Sequence, residues 1–266
     1  MRILEAYACA GHYGDGLADA GLRPYAIDND PRALRHNPHP QLEMDALDAL
    51  DRLIAGELLP FTHYAPGSAG TRCRVRPVSH VEWLGLDAFA AAHGSPPCQG
   101  HSATRELANA QGRGAGRAVD LIPATRDRFR QTGLPWVIEN VYRSPLRHEP
   151  HTMLCGSAFY LEVERHRLFV TEGFDLEGTL CIHADAFPLD LGTLKPRPWG
   201  VYHTKGDSIP SGGRTVHTLE QGMRVMGITR RTPWKYLCEA LPPAYGRHLG
   251  AQMLAQLSPA AEGIPA

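Results

Sequence analysis

A chain of 266 residues with 43% hydrophobic and 21% charged residues has the length and composition of an ordinary globular protein with a real core. Its formal net charge of −1 gives no overall attraction for nucleic acid, so any contact with a polyanion has to come from local charge. No apolar run approaches the roughly 20 residues that span a bilayer, and the start, MRILEAYACAG, is interrupted too soon for a secretory signal; the expectation is a cytoplasmic protein with no membrane partner.

In chain order, Arg2 to Ala8 is a short apolar run followed by CAGHYGDG, the helix-compatible LADAGL and the strand-like PYAID. This is the order of a first βαβ unit, in which backbone amides at a helix N-terminus meet a ligand. Gly11, Gly14 and Gly16 do not have the Gly-x-Gly-x-x-Gly spacing of the dinucleotide fingerprint. The second strand ends in IDNDP, where a carboxylate about twenty residues beyond the loop glycines can accept from ribose hydroxyls. Asp28 is the first candidate and Asp30 the alternative, while Asp30 also fits as the cap of a helix beginning at Pro31. Asp45 reads as an N-cap. Ala46 to Leu59 has helical spacing, and 60–80 reads as an insertion without periodicity, where Arg72, Arg74 and Arg76 alternate as on one side of a strand and fit a surface hairpin or, less well, a contact with phosphate.

Leu86 to His93 is short, apolar and bounded by glycines, as expected for an inner strand of a parallel sheet, and it delivers GSPPCQGHS. Pro96 and Pro97 stiffen the approach to Cys98, which would stand at the mouth of the sheet. Polar residues 103–118 form a loop, Val119 to Thr132 reads as a helix with Leu121, Ile122 and Phe129 inward, and WVIENV is a second strand delivering Glu139. In ERHRLF, Arg165 and Arg167 fall on one face if the segment is extended. Beyond about 170 glycine, proline and turn residues dominate, until helical patterning returns near the end. Between Lys195 and Lys235 eight Lys or Arg face only Asp207 and Glu220, a field usable by phosphate or a plain solvated face. The six cysteines, at 9, 73, 98, 155, 181 and 238, include no Cys-x-x-Cys pair, so no disulfide framework is expected. Cys181 and His183 read as two metal ligands or as loop residues; no metal is expected, because no second pair sits at a suitable spacing.

Pro-Pro-Cys-Gln at 96–99, Glu-Asn-Val at 139–141 and Arg-x-Arg at 165–167, in that order after a glycine-bearing turn, resemble the DNA cytosine-5 methyltransferase family, especially its compact phage-type members. HTLEQGMRVMGI and LCEALPPAYGRHLG resemble its last two motifs, and together the motifs cover about three-quarters of the chain. The resemblance implies an α/β fold, a Rossmann-like S-adenosylmethionine-dependent methyltransferase sheet with a small loop-rich target-recognition domain. Its divisions would be 1–170 for catalysis and cofactor, 171–217 for recognition, and 218–266 for helices returning to the catalytic domain. It further implies S-adenosyl-L-methionine as cofactor, double-stranded DNA as partner and a monomeric enzyme.

By resemblance, Cys98 would add to C6 of an extruded cytosine, Glu139 would hold N3, and Arg167 would hold O2. Arg165 would orient Glu139 or lower the Cys98 pKa. Tyr7, Gly11, Asp28, Asp45, Pro97 and Glu239 would line the cofactor site, with Asp45 accepting from the adenine amino group. Gln99, Ser102, Arg105, Lys205 and Arg214 would touch DNA. The chain departs from the family at Cys9, where a glycine is usual, and at Glu239, where asparagine is usual. A cysteine after Pro-Pro, in place of an aromatic residue, points to carbon methylation over methylation of an exocyclic amine. A catalytically silent binding module and an RNA cytosine-5 methyltransferase are the alternatives.

Overall fold

Strands β1 (Arg2–Ala6) and β2 (Arg23–Asp28) carry almost unbroken buried runs, as strands covered on both faces must. They lie in a nine-stranded sheet with β3 (Gln41–Glu43), β4 (Leu59–Tyr64), β5 (Val78–Leu84), β6 (Ala91–Gly94), β7 (Trp136–Val141), β8 (Thr152–Leu154) and β9 (Arg167–Glu172). The strand order is β5-β4-β3-β2-β1-β6-β7-β9-β8. The five central strands, β3 to β7 in that order, are parallel, and both edges are antiparallel. The order reverses between β1 and β6, which opens a crevice at their carboxyl ends. The computed structural model describes residues 1–71, 75–98, 119–183, 187, 189–190, 195–196, 198–201 and 214–258, with backbone alone at 189–190, 195–196 and 214–215.

Successive strand residues feed opposite faces. Leu4, Tyr25, Ile27, Ala92, Trp136 and Ile138 pack with helices α3 (Ala46–Ile54) and α4 (Ile122–Thr132), both after the short helix α2 (Pro31–Leu34). On the other face Ile3, Ala91 and Val137 pack with α1 (His12–Asp19) and the C-terminal helix α7 (Pro243–Leu257). Those two helices cross through glycine. A Cβ on Gly16 would lie 1.8 Å from the Pro243 carbonyl oxygen, and one on Gly246 would lie 2.2 Å from that of Tyr13. A third, smaller core joins Val163, Val201 and Val216 to Val225, Ile228 and Leu237 of α5 (Leu219–Val225), α6 (Trp234–Glu239) and the turn between them. Among the described residues no helix is long and apolar enough to cross a membrane.

Several elements differ from the sequence expectation. The helix expected over Ala46 to Leu59 ends at Ile54, because Gly56 turns left-handed at φ 85° and Leu59 opens β4. The segment 60–80, expected as an insertion bearing a surface hairpin, does hold a hairpin, but its strands β4 and β5 extend the edge of the main sheet. Arg72 and Arg74 lie outside the described residues, and Arg76 is buried, donating to the Leu34 and Asn37 carbonyls at 3.1 and 2.9 Å. It holds the fold and is withdrawn from solvent. The strand expected over Leu86 to His93 starts only at Ala91, after a 3-10 turn at Leu86–Ala88.

Candidate active site

The chain leaving β1 turns back sharply, with Tyr7, Cys9 and Gly11 at φ of 60°, 48° and 77°. Glycine takes this conformation freely, whereas Tyr7 and Cys9 must be held in it by neighbours. The Tyr7 hydroxyl lies 2.8 Å from Thr125 Oγ1, the Cys9 amide donates to Asp28 Oδ2 at 2.8 Å, and Asn37 Nδ2 donates to the Cys9 carbonyl at 3.2 Å. A Cβ on Gly11 would meet the Asn37 side chain at 2.6 Å. From the other side Arg230 donates to the Ala10 carbonyl at 2.7 Å and to Asp15 Oδ2 at 2.8 Å.

Asp28 braces this loop. Its second oxygen accepts from the Asp30 amide at 2.8 Å, and burial still raises its pKa above the ordinary value. Each oxygen keeps acceptor capacity for a ligand hydroxyl. Asp30 caps α2, accepting from the Arg32 amide at 2.9 Å, and pairs with Lys235 at 3.3 Å, so the capping reading holds for it. Asp45, at the end of β3, caps α3 through the Leu47 and Asp48 amides at 2.9 and 3.3 Å. Glu239 ends α6 with its Oε2 3.8 Å from Cys9 Sγ. The two departures from the family pattern are therefore neighbours. Burial, with Asp28 and Glu239 adding to it, pushes the Cys9 thiol far up, so it meets the carboxylate as a donor.

Cys98 follows β6, whose last residue Gly94 is paired with Ile138, one position before Glu139. The buried Asn140 amide donates to the Pro96 carbonyl at 2.9 Å and ties the Pro-Pro turn to β7. Pro96 is buried, Pro97 exposed and Cys98 half-buried. Burial raises the Cys98 thiol above its ordinary value, opposed by Arg167, reinforced by Glu139 and opposed again by Arg165. The sulfur thus feels all three charged partners. Glu139 is buried, and burial raises its carboxyl against the pull of Arg167, a hydrogen bond from Ser95 and the charge of Arg165. Arg167 Nε stands 2.9 Å from Glu139 Oε1, but no N–H is aimed at that oxygen.

The two arginines do not share one extended face. Arg165 is left-handed at φ 36°, β9 begins only at Arg167, and the pair diverges. Arg165 Nη2 donates to the Cys238 carbonyl on α6 at 2.6 Å, and the Tyr245 hydroxyl donates to the Arg165 carbonyl at 2.8 Å. Burial lowers this guanidinium to about 10. It is Arg167, not Arg165, that pairs with Glu139.

No protein-family model and no curated protein matches the sequence. Solved structures do match in fold. A putative DNA modification methyltransferase encoded within a prophage of E. coli superposes with a TM-score of 0.56 at 11% identity, over 97% of this chain and 100% of that one. The Entamoeba histolytica methyltransferase EhMeth gives 0.54 at 10% identity, over 97% and 99%. The S. pombe Dnmt2 methyltransferase gives 0.51 at 15% identity, again over 97% and 99%. The chain has a methyltransferase fold.

On this methyltransferase fold, Tyr7, Gly11, Asp28, Asp45, Pro97 and Cys98 follow the carboxyl ends of β1, β2, β3 and β6, and Glu139 lies near that of β7. Arg165 and Arg167 arrive at the amino end of antiparallel β9, beside them. Gln99, Ser102, Arg105 and Lys205 lie outside the described residues, as does the side chain of Arg214, whose backbone opens the short strand Arg214–Thr215. The positive field expected up to Lys235 is partly neutralised by ion pairs, since Arg224 pairs with Glu162 and Lys235 with Asp30 at the surface, and the mostly buried Arg230 with Asp15.

Sequence reasoning missed Ser95, His93, Glu5 and Asn140. Glu5 and His93 face each other in register on β1 and β6, both buried. His93 stacks on Tyr13 with centroids 4.1 Å apart, its Nε2 lies 3.4 Å from Ser95 Oγ, and burial lowers it to about 3, so it is neutral. Burial, then Asp15 and Asp28, raise Glu5 to about 8. The only sequence signal was a charged residue inside an apolar strand.

Proposed function

We propose that this chain methylates C5 of a cytosine extruded from double-stranded DNA, with Cys98 as the covalent nucleophile. The observation that carries the reading is the convergence of Cys98, Glu139 and Arg167 at the carboxyl-end crevice of a methyltransferase fold. Cytosine C5 is a poor nucleophile until electrons are pushed into the ring, and a thiolate adding at C6 does this and can leave again. Cys98 would supply that sulfur, with Arg167 and Arg165 favouring the thiolate. Glu139, its carboxyl raised by burial, would donate its proton to N3 and hold the charge that builds on the ring. Arg167 would keep Glu139 in place and present its guanidinium to O2. Loss of the C5 proton to a base or water then expels the thiolate and restores the ring. These atoms are out of reach in a duplex, hence the extrusion.

S-Adenosylmethionine fits the crevice on three counts: a strained loop held in place at Tyr7–Gly11, Asp28 with acceptor capacity to spare, and the buried Glu5 oxygen without a hydrogen bond near the start of α1. Bound there by Tyr7, Gly11, Asp28, Asp45, Pro97 and Glu239, it would supply an electrophilic methyl carbon. Residues 171–217 would act as the recognition unit, with Gln99, Ser102, Arg105, Lys205 and Arg214 on the DNA. The test is nucleoside mass analysis of DNA incubated with the protein and S-adenosylmethionine, beside Cys98→Ser. The reading expects 5-methylcytosine from the native chain only, with DNA binding kept in the variant; unchanged turnover in Cys98→Ser overturns it.

A further inference from the structure

Cys155, His166, Cys181 and His183 come from three separated segments and meet at one point, their four candidate ligand atoms all within 4.8 Å of one another. Cys155 follows β8, His166 precedes β9, and Cys181 and His183 lie in the chain beyond β9. The spacing, Cys-x10-His-x14-Cys-x-His, is not that of a regular zinc motif, and it becomes a cluster only because β8 and β9 pair antiparallel. Cys155 Sγ lies 3.3 Å from His183 Nε2, and Cys181 Sγ lies 3.4 Å from His166 Nε2. Bonds of about 2.0–2.3 Å place tetrahedral ligand atoms roughly 3.3–3.8 Å apart, so both contacts have the length of a tetrahedron's edge.

The surroundings are those of a site prepared for a metal. His166 Nδ1 faces Glu164 Oε1 at 3.1 Å, which leaves Nε2 for a metal and fixes the ring. Ser157 Oγ stands 3.2 Å from the buried Cys155 sulfur, within reach to donate to a thiolate. The His183 ring stacks on Phe187 with centroids 4.9 Å apart.

We propose that these four residues bind one Zn2+ in a closed, structural Cys2His2 site. Two thiolates and two imidazoles in tetrahedral array suit zinc, and four protein ligands leave no position for water or substrate. Its effect would be local and specific. His166 sits between Arg165 and Arg167, and Arg165 is held at a φ of 36° that it would not adopt unaided. The ion would pin that segment and tether residues 181–183, within the proposed recognition unit, to the catalytic sheet. The metal site itself does not depend on the methyl-transfer reading.

The test is elemental analysis of the full chain purified without chelator, together with the spectrum of the cobalt(II)-substituted protein. One zinc per chain is expected, with cobalt showing thiolate charge-transfer and tetrahedral ligand-field bands. Cys181 is exposed, so Cys181→Ser should fold normally by circular dichroism while losing the charge-transfer intensity of one thiolate. Glu164→Gln should keep the site but weaken zinc roughly 10- to 100-fold. A folded chain that binds no zinc after incubation with it would overturn the proposal, as would unchanged affinity in a Cys181→Ser, His183→Ala variant. A Cys155–Cys181 disulfide in the native chain, found by non-reducing peptide mapping, would overturn it too.

Discussion

At Cys98 two opposing effects set reactivity. Burial alone would leave an inert thiol, and the guanidinium groups of Arg167 and Arg165 draw it back toward the thiolate. Replacing Arg167 by Gln removes the stronger of the two pulls toward the thiolate, so the thiol should titrate at higher pH. Peptide-resolved alkylation with iodoacetamide across a pH series measures this without any substrate. The Cys98 profile should move to higher pH in Arg167→Gln; an unmoved Cys98 would mean that Arg167 does not act on it. Glu139 and Cys98 were legible as candidates in the sequence because one lies in the last half of an apolar strand and the other follows one closely. The partition of the arginines was not. Two arginines two positions apart share a face only where both are extended, and Arg165 takes a left-handed turn instead. Asn140 was legible only as the neighbour of Glu139, since its bond to the Pro96 carbonyl depends on how far β6 and β7 run side by side.

At the scale of elements, the crossing of α1 and α7 rests on absent side chains. Gly246→Ala would place a Cβ 2.2 Å from the Tyr13 carbonyl oxygen and force the helices apart. Such overpacking costs typically about 1–3 kcal/mol, which should appear as a lower urea midpoint with an unchanged slope. The same glycines explain why α1 was expected too late. HYGDG looks like a loop by composition, yet its glycines are contact points of a helix that starts at His12. The paired strands β1 and β6 carry a second prediction. Glu5 keeps its proton in the fold to about pH 8 and in the unfolded chain only to about 4.5, so stability falls as pH rises through that window. His93 opposes this at lower pH: the unfolded chain takes up a proton below 6.5 and the fold refuses it until about 3, so stability also falls as pH drops from 6.5. The two effects offset one another between 4.5 and 6.5. Glu5→Gln should therefore flatten the decline between pH 6.5 and 8, worth about 1–2 kcal/mol, in thermal melts at a series of pH values. A native chain equally stable at 6.5 and 8 would refute it.

Over the whole molecule, the central parallel strands and the reversal between β1 and β6 bring the ends of five strands to one crevice. Residues as far apart in sequence as Tyr7, Cys98, Glu139 and Arg167 reach it because each stands at the matching end of a strand. That much followed from the order of apolar runs and the residues at their ends. What lay beyond the sequence was long-range pairing. The antiparallel β8–β9 ladder gathers Cys155, His166, Cys181 and His183, four residues with no motif spacing, and the β4–β5 hairpin turns a stretch without periodicity into a sheet edge. The small core of Val201 and Val216 with Leu237 likewise joins segments that looked separate in sequence.

The central claim is that Cys98 makes this fold a cytosine-C5 methyltransferase. It is tested most directly by the mass of nucleosides from plasmid DNA incubated with the chain and S-adenosylmethionine, with converted cytosines sequenced from the same sample and Cys98→Ser run beside it. A gain of one methyl on deoxycytidine at a defined sequence, absent with Cys98→Ser, is the predicted result. Methylation of an exocyclic amine, or 5-methylcytosine formed equally well by Cys98→Ser, would contradict it.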